Sequence, residues 1–210
     1  YTLSDIEYLA MTVQPPSAFV EQQMKASLSD KGMEFDFLTS EMYRFNQVNA
    51  QGVTQVQIPT QTQRAKSIIC QPLLVSAYRD LSQSSFSGVP DGAVNYNFVF
   101  GSELVPSRSV PLSRYSQAVG TTSQHKSEPL HMTELQKAIT NIGERVVNLQ
   151  KISEHFSVAR ALNRYNQITP ITESLSLRLE YGSGGAQKTF NSYVYKIAKM
   201  FIAKGQVVVV

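Results

Sequence analysis

A run of strict alternation between Ser174 and Tyr181 restricts the fold more than any other part of this chain. It reads Ser-Leu-Ser-Leu-Arg-Leu-Glu-Tyr, which places apolar and polar side chains on opposite faces of an extended strand. A strand with one wet face is typical of an antiparallel sheet packed through its other face, whereas strands of parallel sheets are apolar on both. The alternation therefore predicts an antiparallel sandwich or barrel.

The same one-faced pattern recurs along the chain and predicts further strands. The repeats lie around Phe35 and Phe37, at Tyr43 and Phe45, from Thr54 to Ile58 and from Tyr96 to Phe100. A more continuously apolar run from Ala65 to Val75 predicts a strand covered on its outer side, with Pro72 at an edge or bulge. The tail Gln206 to Val210 is a strand by propensity, and we expect it to be paired inside the sheet, where its valines would be hidden.

Two helices are predicted, and two segments stay open. One helix begins at Ser17, directly after a proline pair, and a second runs from about Thr133 to Asn141, where a capping box precedes apolar residues at helical spacing. The segments Val146 to Leu162 and Tyr193 to Ala203 fit a helix and a strand equally well. The segment Ile6 to Val13, which the proline pair stops, also reads as a strand.

Length and charge favour one domain that packs against other subunits. The 210 residues fit one large domain over 1–210, and only 17% of them are charged, so the surface is polar but nearly neutral. The net charge of the chain is +3, and the basic excess lies after Glu180, where the sequence has lysines but no acidic residue. Because no arginine cluster or aromatic platform accompanies these lysines, we expect no specific nucleic-acid binding. No apolar run approaches the roughly 18 residues of a membrane helix.

The reactive side chains of the sequence form no recognisable catalytic site. The single cysteine, Cys70, can form no intrachain disulfide or thiolate-rich metal site, and it lacks the basic neighbours that activate a thiol. The three histidines show no metal-ligand spacing and are read as ordinary polar residues: His125, His131 and His155. Two carboxylate pairs, Asp5 with Glu7 and Glu34 with Asp36, are read as the wet faces of strands. We therefore expect no enzyme, no cofactor and no metal.

The segment Gly182 to Thr189 comes close to a phosphate-binding loop. It has the first glycine, the lysine and the threonine of that motif after a strand, but Gln187 replaces the second glycine. A side chain there obstructs the backbone that cradles phosphates, and the preceding strand is not of the parallel type. We interpret the segment as a glycine-rich turn and keep nucleotide binding as a lesser alternative.

Four stretches in a fixed order carry a family resemblance. They are the strand Leu3 to Tyr8 with the prolines and helix after it, the strand Tyr96 to Phe100 running on to Leu112, the strand Leu175 to Tyr181, and the terminal apolar strand. Together they resemble the carboxyl-terminal jelly roll of the double jelly-roll major capsid proteins of virophages and Polinton-like viruses.

The resemblance implies an all-β fold: an antiparallel jelly-roll sandwich of two four-stranded sheets with short inserted helices. It also implies a structural virion protein that self-associates into trimers, which form pseudo-hexagonal capsomers beside neighbouring capsid proteins, and that is assembled inside the host cell. Such families have two jelly rolls per polypeptide. Since this chain begins with Tyr1, we expect it to be one half of a longer double jelly-roll chain.

The segment Val105 to Leu112 is where we expect contacts between subunits. Its two prolines force an extended path that suits a sheet edge. Arg108, Arg114 and Tyr115 lie in or just after it, and these residue types are enriched in interfaces; the alternative is that they are solvated loop residues. A ligand-binding or carbohydrate-binding β-sandwich module remains the alternative function, and it requires exposed aromatic side chains.

Overall fold

The computed structural model describes residues 16–29, 32–47, 51–76, 88–112, 129–144, 156–162, 169–171, 173–182, 185–204 and 206–209. Two helices lie in this part of the chain, α1 (Ser17–Leu28) and α2 (Pro129–Asn141). Its strands are β1 (Met33–Gln47), β2 (Val53–Ile58), β3 (Thr62–Leu74), β4 (Ala93–Phe100), β5 (Glu103–Pro111), β6 (Val158–Ala161), β7 (Thr169–Ile171), β8 (Leu175–Tyr181), β9 (Lys188–Ala203) and β10 (Gln206–Val209). The helix α1 begins at Ser17, as the sequence predicts. The helix α2 ends at Asn141 as predicted but begins at Pro129, so Thr133 lies inside the helix and is not its cap. Ile6 to Val13 lies outside the described residues.

The order of the strands is that of a jelly roll. One sheet runs β1-β9-β3-β6, with β10 paired to β9 and β7 paired to β3, and the other runs β2-β8-β4-β5. When the short β7 and β10 are set aside, each sheet alternates strands from the two halves of the chain, as two interlocked Greek keys require. The predicted all-β jelly-roll sandwich is confirmed, although the first sheet has six strands because β7 and β10 add to the expected four.

The alternation that predicts β8 gives this strand its place in the middle of the second sheet. Leu177 lies opposite Val56 of β2 on one side and opposite Phe98 of β4 on the other, and all three are fully buried. The antiparallel pairing sets this row of apolar side chains facing the other sheet. The polar residues Arg178 and Glu180 stay partly exposed on the opposite face.

An outer cover explains why β3 is apolar on both faces. Ile68 and Cys70 belong to the main core between the sheets, while Ile69 and Ala159 of β6 pack against Leu135 and Ala138 of α2. The expected covering element is therefore α2.

Pro72 lies where β3 has lost one neighbour. The pairing of β3 with β6 ends at Cys70, whereas the pairing with β9 continues past Pro72 to Leu74. A proline cannot donate to a ladder, so this end of the strand is the place that tolerates it.

Pairing decides the described parts of the two segments that periodicity leaves open; residues 146–155 lie outside the described residues. Val158–Ala161 pairs with β3 as β6, and Tyr193–Ala203 belongs to the long strand β9, which lies between β1 and β3. Likewise, the short runs around Phe35 and Tyr43 form one strand, β1. Partner strands override local helical spacing in each case.

The chain divides into two compact units. The larger, called the sandwich unit, is Leu38–Ile197, and the smaller, called the terminal unit, is Tyr1–Phe37 with Ala198–Val210. The buried core between the two sheets lies in the sandwich unit. In the terminal unit β10 pairs with β9, but its valines are 50–60% exposed, so the expectation that the tail is hidden inside the sheet is wrong.

The two long connections of the sandwich unit leave from one end, called the loop end. Residues 75–92 connect β3 to β4, and residues 112–157, which include α2, connect β5 to β6. Leu74 is paired with Lys188 and Ala93 with Tyr181, so both strands end beside the turn between β8 and β9. At the opposite end the connections 59–61 and 101–102 are short.

Candidate inter-subunit contact surface

The edge strand β5 bulges away from its neighbour. Tyr96 of β4 is paired with Val110 and Phe98 with Val105, so residues 106–109 stand opposite the single residue Asn97. Asn97 is almost fully buried and holds the bulge at both ends: its Nδ2 donates to the Pro106 carbonyl at 2.8 Å, and its Oδ1 accepts from the Ser109 hydroxyl at 2.6 Å. A proline and a bulge together prevent this edge from pairing with another strand.

The bulge places Arg108 in solvent. Arg108 and its neighbour Ser107 are exposed, and Arg108 has no ion-pair partner within the described ranges. Asn97 takes up the Pro106 carbonyl, and Pro106 and Pro111 have no N–H, so the ladder of N–H and C=O groups at this edge is interrupted. The expectation that the proline segment follows a sheet edge is confirmed. Arg114 and Tyr115 lie outside the described residues.

The outer face of the second sheet is polar. Gln55 of β2 donates to the Ser176 hydroxyl at 2.6 Å, and the Asn95 amide donates to Glu180 at 3.3 Å. Within the described part of the sandwich unit, no aromatic side chain is exposed, so this face lacks the platform that a carbohydrate-binding module requires. The exposed aromatic residues of the described chain all belong to the terminal unit: Phe19, Phe35 and Phe37.

Lys188, the lysine of the glycine-rich segment, is buried in an ion pair. Its side chain is 0% exposed, and its ammonium donates to Asp91 Oδ2 at 2.5 Å and to the Ala186 carbonyl at 3.1 Å. The ring of Tyr181 lies 5.1 Å from the same ammonium. Ala186 also donates its N–H to Asp91 Oδ2 at 2.7 Å. The lysine that would contact a phosphate is therefore occupied, which supports the interpretation as a turn.

Gly185 makes the close approach around this pair possible. A Cβ built on it would lie 2.6 Å from Lys188 Nζ and 2.8 Å from the Asp91 carbonyl. Any larger residue would push the lysine from its partner. Asp91 itself has a left-handed backbone (φ 35°), a conformation that aspartate adopts more readily than most residues.

The other candidates for reactivity are structural. Burial raises the pKa of the Cys70 thiol to about 12, so this cysteine is an inert core residue, as predicted. His131 is fully buried and not solvated as an ordinary polar histidine would be, because it stacks on Phe156 and contacts the Ser157 carbonyl at 2.7 Å. Burial also lowers the pKa of His131. His125 and His155 lie outside the described residues.

Of the two carboxylate pairs, one is described. Glu34 and Asp36 are exposed on β1, in accord with a wet strand face, and Glu34 forms an ion pair with Lys199 at 2.9 Å. Asp5 and Glu7 lie outside the described residues. The described ranges contain no group of three or more histidine, cysteine, aspartate or glutamate side chains that could hold a metal ion. In the same ranges, no helix is long and apolar enough to cross a membrane.

Sequence reasoning missed three features that bear on function. It did not pair Lys188 with Asp91, because the two residues are far apart in the chain. It did not anticipate the bulge, because the alternation of Tyr96 to Phe100 places Asn97 on the polar face, whereas the structure buries it. It also predicted that the valines of β10 are buried, whereas they are exposed.

No protein-family model matches the chain. No curated protein matches it. Among solved structures, it is similar to the quasi-atomic model of the PBCV-1 virus capsid, with 7% identity and a TM-score of 0.44 over 85% of this chain and 52% of that one. It is also similar to PBCV-1 VP54 fitted into a reconstruction of the virophage Sputnik, with 7% identity and a TM-score of 0.46 over 85% of this chain and 52% of that one.

The cryo-EM structure of the Sputnik virophage matches with 10% identity and a TM-score of 0.44, over 85% of this chain and 39% of that one. The chain thus spans about half the length of these structures or less. The first is a virus capsid, and the other two concern the virophage Sputnik. The jelly-roll fold of this chain is established by its own strand order.

Proposed function

We propose that the chain is a structural virion protein, a jelly-roll block of an icosahedral capsid. In this proposal residues 1–210 form one jelly-roll domain, half of a longer double jelly-roll polypeptide, and three such polypeptides form a pseudo-hexagonal capsomer. The protein has no catalytic role, is assembled inside the host cell and ends in the virion. Its partners are copies of itself and neighbouring capsid proteins.

The observation that carries the proposal is the exposure of large apolar side chains in the terminal unit. The helix α1 buries none of its residues, and Phe19, Met24 and Leu28 all face solvent. Phe35 and Phe37 of β1 are exposed as well. Grouped exposed apolar residues are typical of surfaces that contact another protein. A terminal unit that exposes such residues suits a protein that works in an assembly.

The jelly-roll order supports the same function. It forms a stiff body of two paired sheets and ends the second sheet in β5, an edge that cannot recruit further strands. Contacts between copies at this edge then depend on side chains such as Arg108, and a closed symmetric assembly repeats each weak contact.

The test is the intact mass and the oligomeric state of the native particle-forming protein. We expect light scattering after size-exclusion chromatography to report a trimer of a chain about twice this length, and negative-stain images to show hexagonal particles. Arg108→Ala is expected to lower the trimer yield while the circular dichroism stays unchanged. Gln57→Ala, on the opposite edge strand β2, is the matched control. A chain that stays monomeric at all concentrations would refute the proposal.

A further inference from the structure

The first turn of α2 contains a histidine that reaches the main core of the sandwich unit. His131 is fully buried; its ring stacks on Phe156 with the centroids 5.4 Å apart and meets the Tyr96 ring edge-on at 6.1 Å. Phe156 and Tyr96 both belong to the core between the sheets. The histidine therefore anchors the start of the helix among the side chains that hold the two sheets together.

The contacts of this imidazole fix where its proton lies. Its Nε2 is 2.7 Å from the Ser157 carbonyl oxygen, which can only accept, so Nε2 of the neutral ring has the proton and donates it. A second proton would go to Nδ1 inside the same buried site. The ring would then be a cation, and burying a cation is costly unless a counter-ion meets it.

The described groups around His131 compensate poorly for a positive charge. Glu134, one turn further along the same face of α2, already forms ion pairs with Arg160 of β6 and with Lys137. Tyr96 of β4 is neutral, because burial raises the pKa of its hydroxyl. The amino end of a helix also disfavours cations. A protonated His131 would add a charge where two cations already share one carboxylate.

The strands β3 and β5, which also pack against α2, do not change this balance. From β3, Lys66 donates to the Asn141 carbonyl at the far end of the helix, and burial raises the pKa of the Cys70 thiol to about 12. Both charged residues of β5, Glu103 and Arg108, are exposed to water. In accord with this environment, burial lowers the pKa of the histidine itself.

The remainder of α2 makes only a small contact with the sheet. Leu135 and Ala138 pack on Ile69 and Ala159 in a cluster that is separate from the main core. Near the end of the helix, the Ser67 hydroxyl donates to the Ala138 carbonyl at 2.8 Å. Opening so small a contact costs less than separating paired sheets, so α2 can lift while the sheets stay together.

We propose that α2 is a strap that opens when His131 is protonated. In the closed form the neutral imidazole lies in the core, and α2 covers β3 and β6. On acidification the ring takes up a proton and moves into water together with the helix, which exposes the apolar outer face at Ile69 and Ala159. The strap works in a single chain, so this inference goes beyond the proposed capsid function and does not depend on it.

The direction and size of the effect follow from linkage. A solvated histidine titrates near pH 6.5, so the open form binds the proton more tightly than the closed form, and opening becomes easier as the pH falls. Between about pH 7.5 and 5.5, the ratio of open to closed helices should rise roughly three- to tenfold, the upper limit applying if the closed form stays unprotonated.

The first experiment measures this opening by thiol labelling of the native protein. Ser67 is fully buried beneath α2, so Ser67→Cys is a nearly isosteric change whose thiol reacts when the helix lifts. Cys70, in the main core, reports opening of the sheets in the same molecule. Rates with dithiodipyridine at the two pH values are divided by those of the urea-unfolded protein, and labelled sites are identified by peptide mass spectrometry.

We expect the introduced thiol to react faster at the lower pH by the stated factor, while Cys70 stays unlabelled. Adding His131→Phe retains a ring to stack on Phe156 but cannot titrate, so labelling should become independent of pH. Adding His125→Gln and His155→Gln instead replaces the other two histidines of the sequence and should leave the pH effect intact. A pH effect that survives His131→Phe, or one below about twofold without it, would overturn the proposal.

Hydrogen exchange tests the strap in the unaltered sequence, in case a variant fails to fold. The protection of α2 amides, corrected for intrinsic exchange rates, should fall by the same factor at the lower pH and should not change in low urea. Amides of β8, which exchange on global unfolding, should lose protection in urea. If α2 responds to urea as β8 does, the helix opens only with the whole fold and the proposal is wrong. Neither measurement depends on the oligomeric state, so the capsid function is tested separately.

Discussion

Replacing Asp91 should destabilise the fold far more than replacing its partner. Lys188 has no exposed surface, so its ammonium depends on Asp91 Oδ2, the Ala186 carbonyl and the Tyr181 ring. Asp91→Asn keeps the shape and one acceptor oxygen but removes the negative charge. Leaving a buried charge without its counter-ion costs about 3–5 kcal/mol. Because Asp91 is 23% exposed and water can enter, we expect the lower limit, about 3 kcal/mol.

Lys188→Met is the informative counterpart. Methionine fills the space of the lysine stem and removes the buried charge, while Asp91 keeps the Ala186 N–H and its contact with water. Because the charge left behind is on Asp91, which is partly exposed and keeps the Ala186 N–H, we expect a loss of about 1 kcal/mol or less, the range of a solvated ion pair. The double variant should regain most of the stability that Asp91→Asn loses, because no uncompensated charge is left.

Urea denaturation followed by far-UV circular dichroism measures all four proteins at one low protein concentration. Equal losses in the two single variants would refute the reasoning, as would a loss below about 1 kcal/mol in Asp91→Asn. The same proteins test the nucleotide alternative. Titration of the wild type with magnesium-ATP should release no heat beyond dilution, and binding that Lys188→Met abolishes would restore the phosphate-loop hypothesis.

Three further predictions concern burial and charge. Burial lowers the pKa of His131 below 6.5, so the unfolded chain takes up the proton first; between about pH 7.5 and 5.5, unfolding free energy should fall more steeply in the wild type than in His131→Phe. A Cβ on Gly88 would lie 1.9 Å from a backbone carbonyl, so Gly88→Ala should cost more than about 2 kcal/mol, against about 1 kcal/mol for Gly52→Ala, which meets no atom but has a positive φ; equal losses in chemical denaturation would contradict this. The hydrogen bond from Lys196 lowers the pKa of Glu41 below 4.5, so the stability that Glu41 contributes is present above that pH and is lost as the pH falls through its folded value; the stability gap between the wild type and Glu41→Gln should close below about pH 4.5 in acid titrations.

Local patterns suffice for much of the fold. Leu175–Tyr181 alternates because one face of β8 meets the core. The continuously apolar sequence of β3 indicates that another element covers its outer face, and this element is α2. In Tyr193–Ala203, helical and strand spacing coincide, and pairing with β1 and β3 settles the matter. Such pairing joins residues distant in the chain, which no local window contains.

Only part of the candidate contact surface can be predicted from the sequence. Two prolines show that β5 is an edge, but the exposure of Arg108 depends on Asn97, a residue of the neighbouring strand. The valines at the end of the sequence correctly predict a strand, but the prediction that this strand is buried is wrong. Propensity describes how a segment pairs, whereas exposure depends on which partner covers it.

The loop end has a consequence for how such a protein can diverge. Connections 75–92 and 112–157 both leave the sandwich there, beyond the paired strands. Doubling the length of a flexible connection adds only about 0.6 kcal/mol of closure entropy. Outside 88–92 and α2, insertions and deletions in these connections should therefore cost less than changes within the sheets, where a single-residue slip would turn every inward side chain outward. Over generations, variation should accumulate at one extremity of an otherwise invariant body.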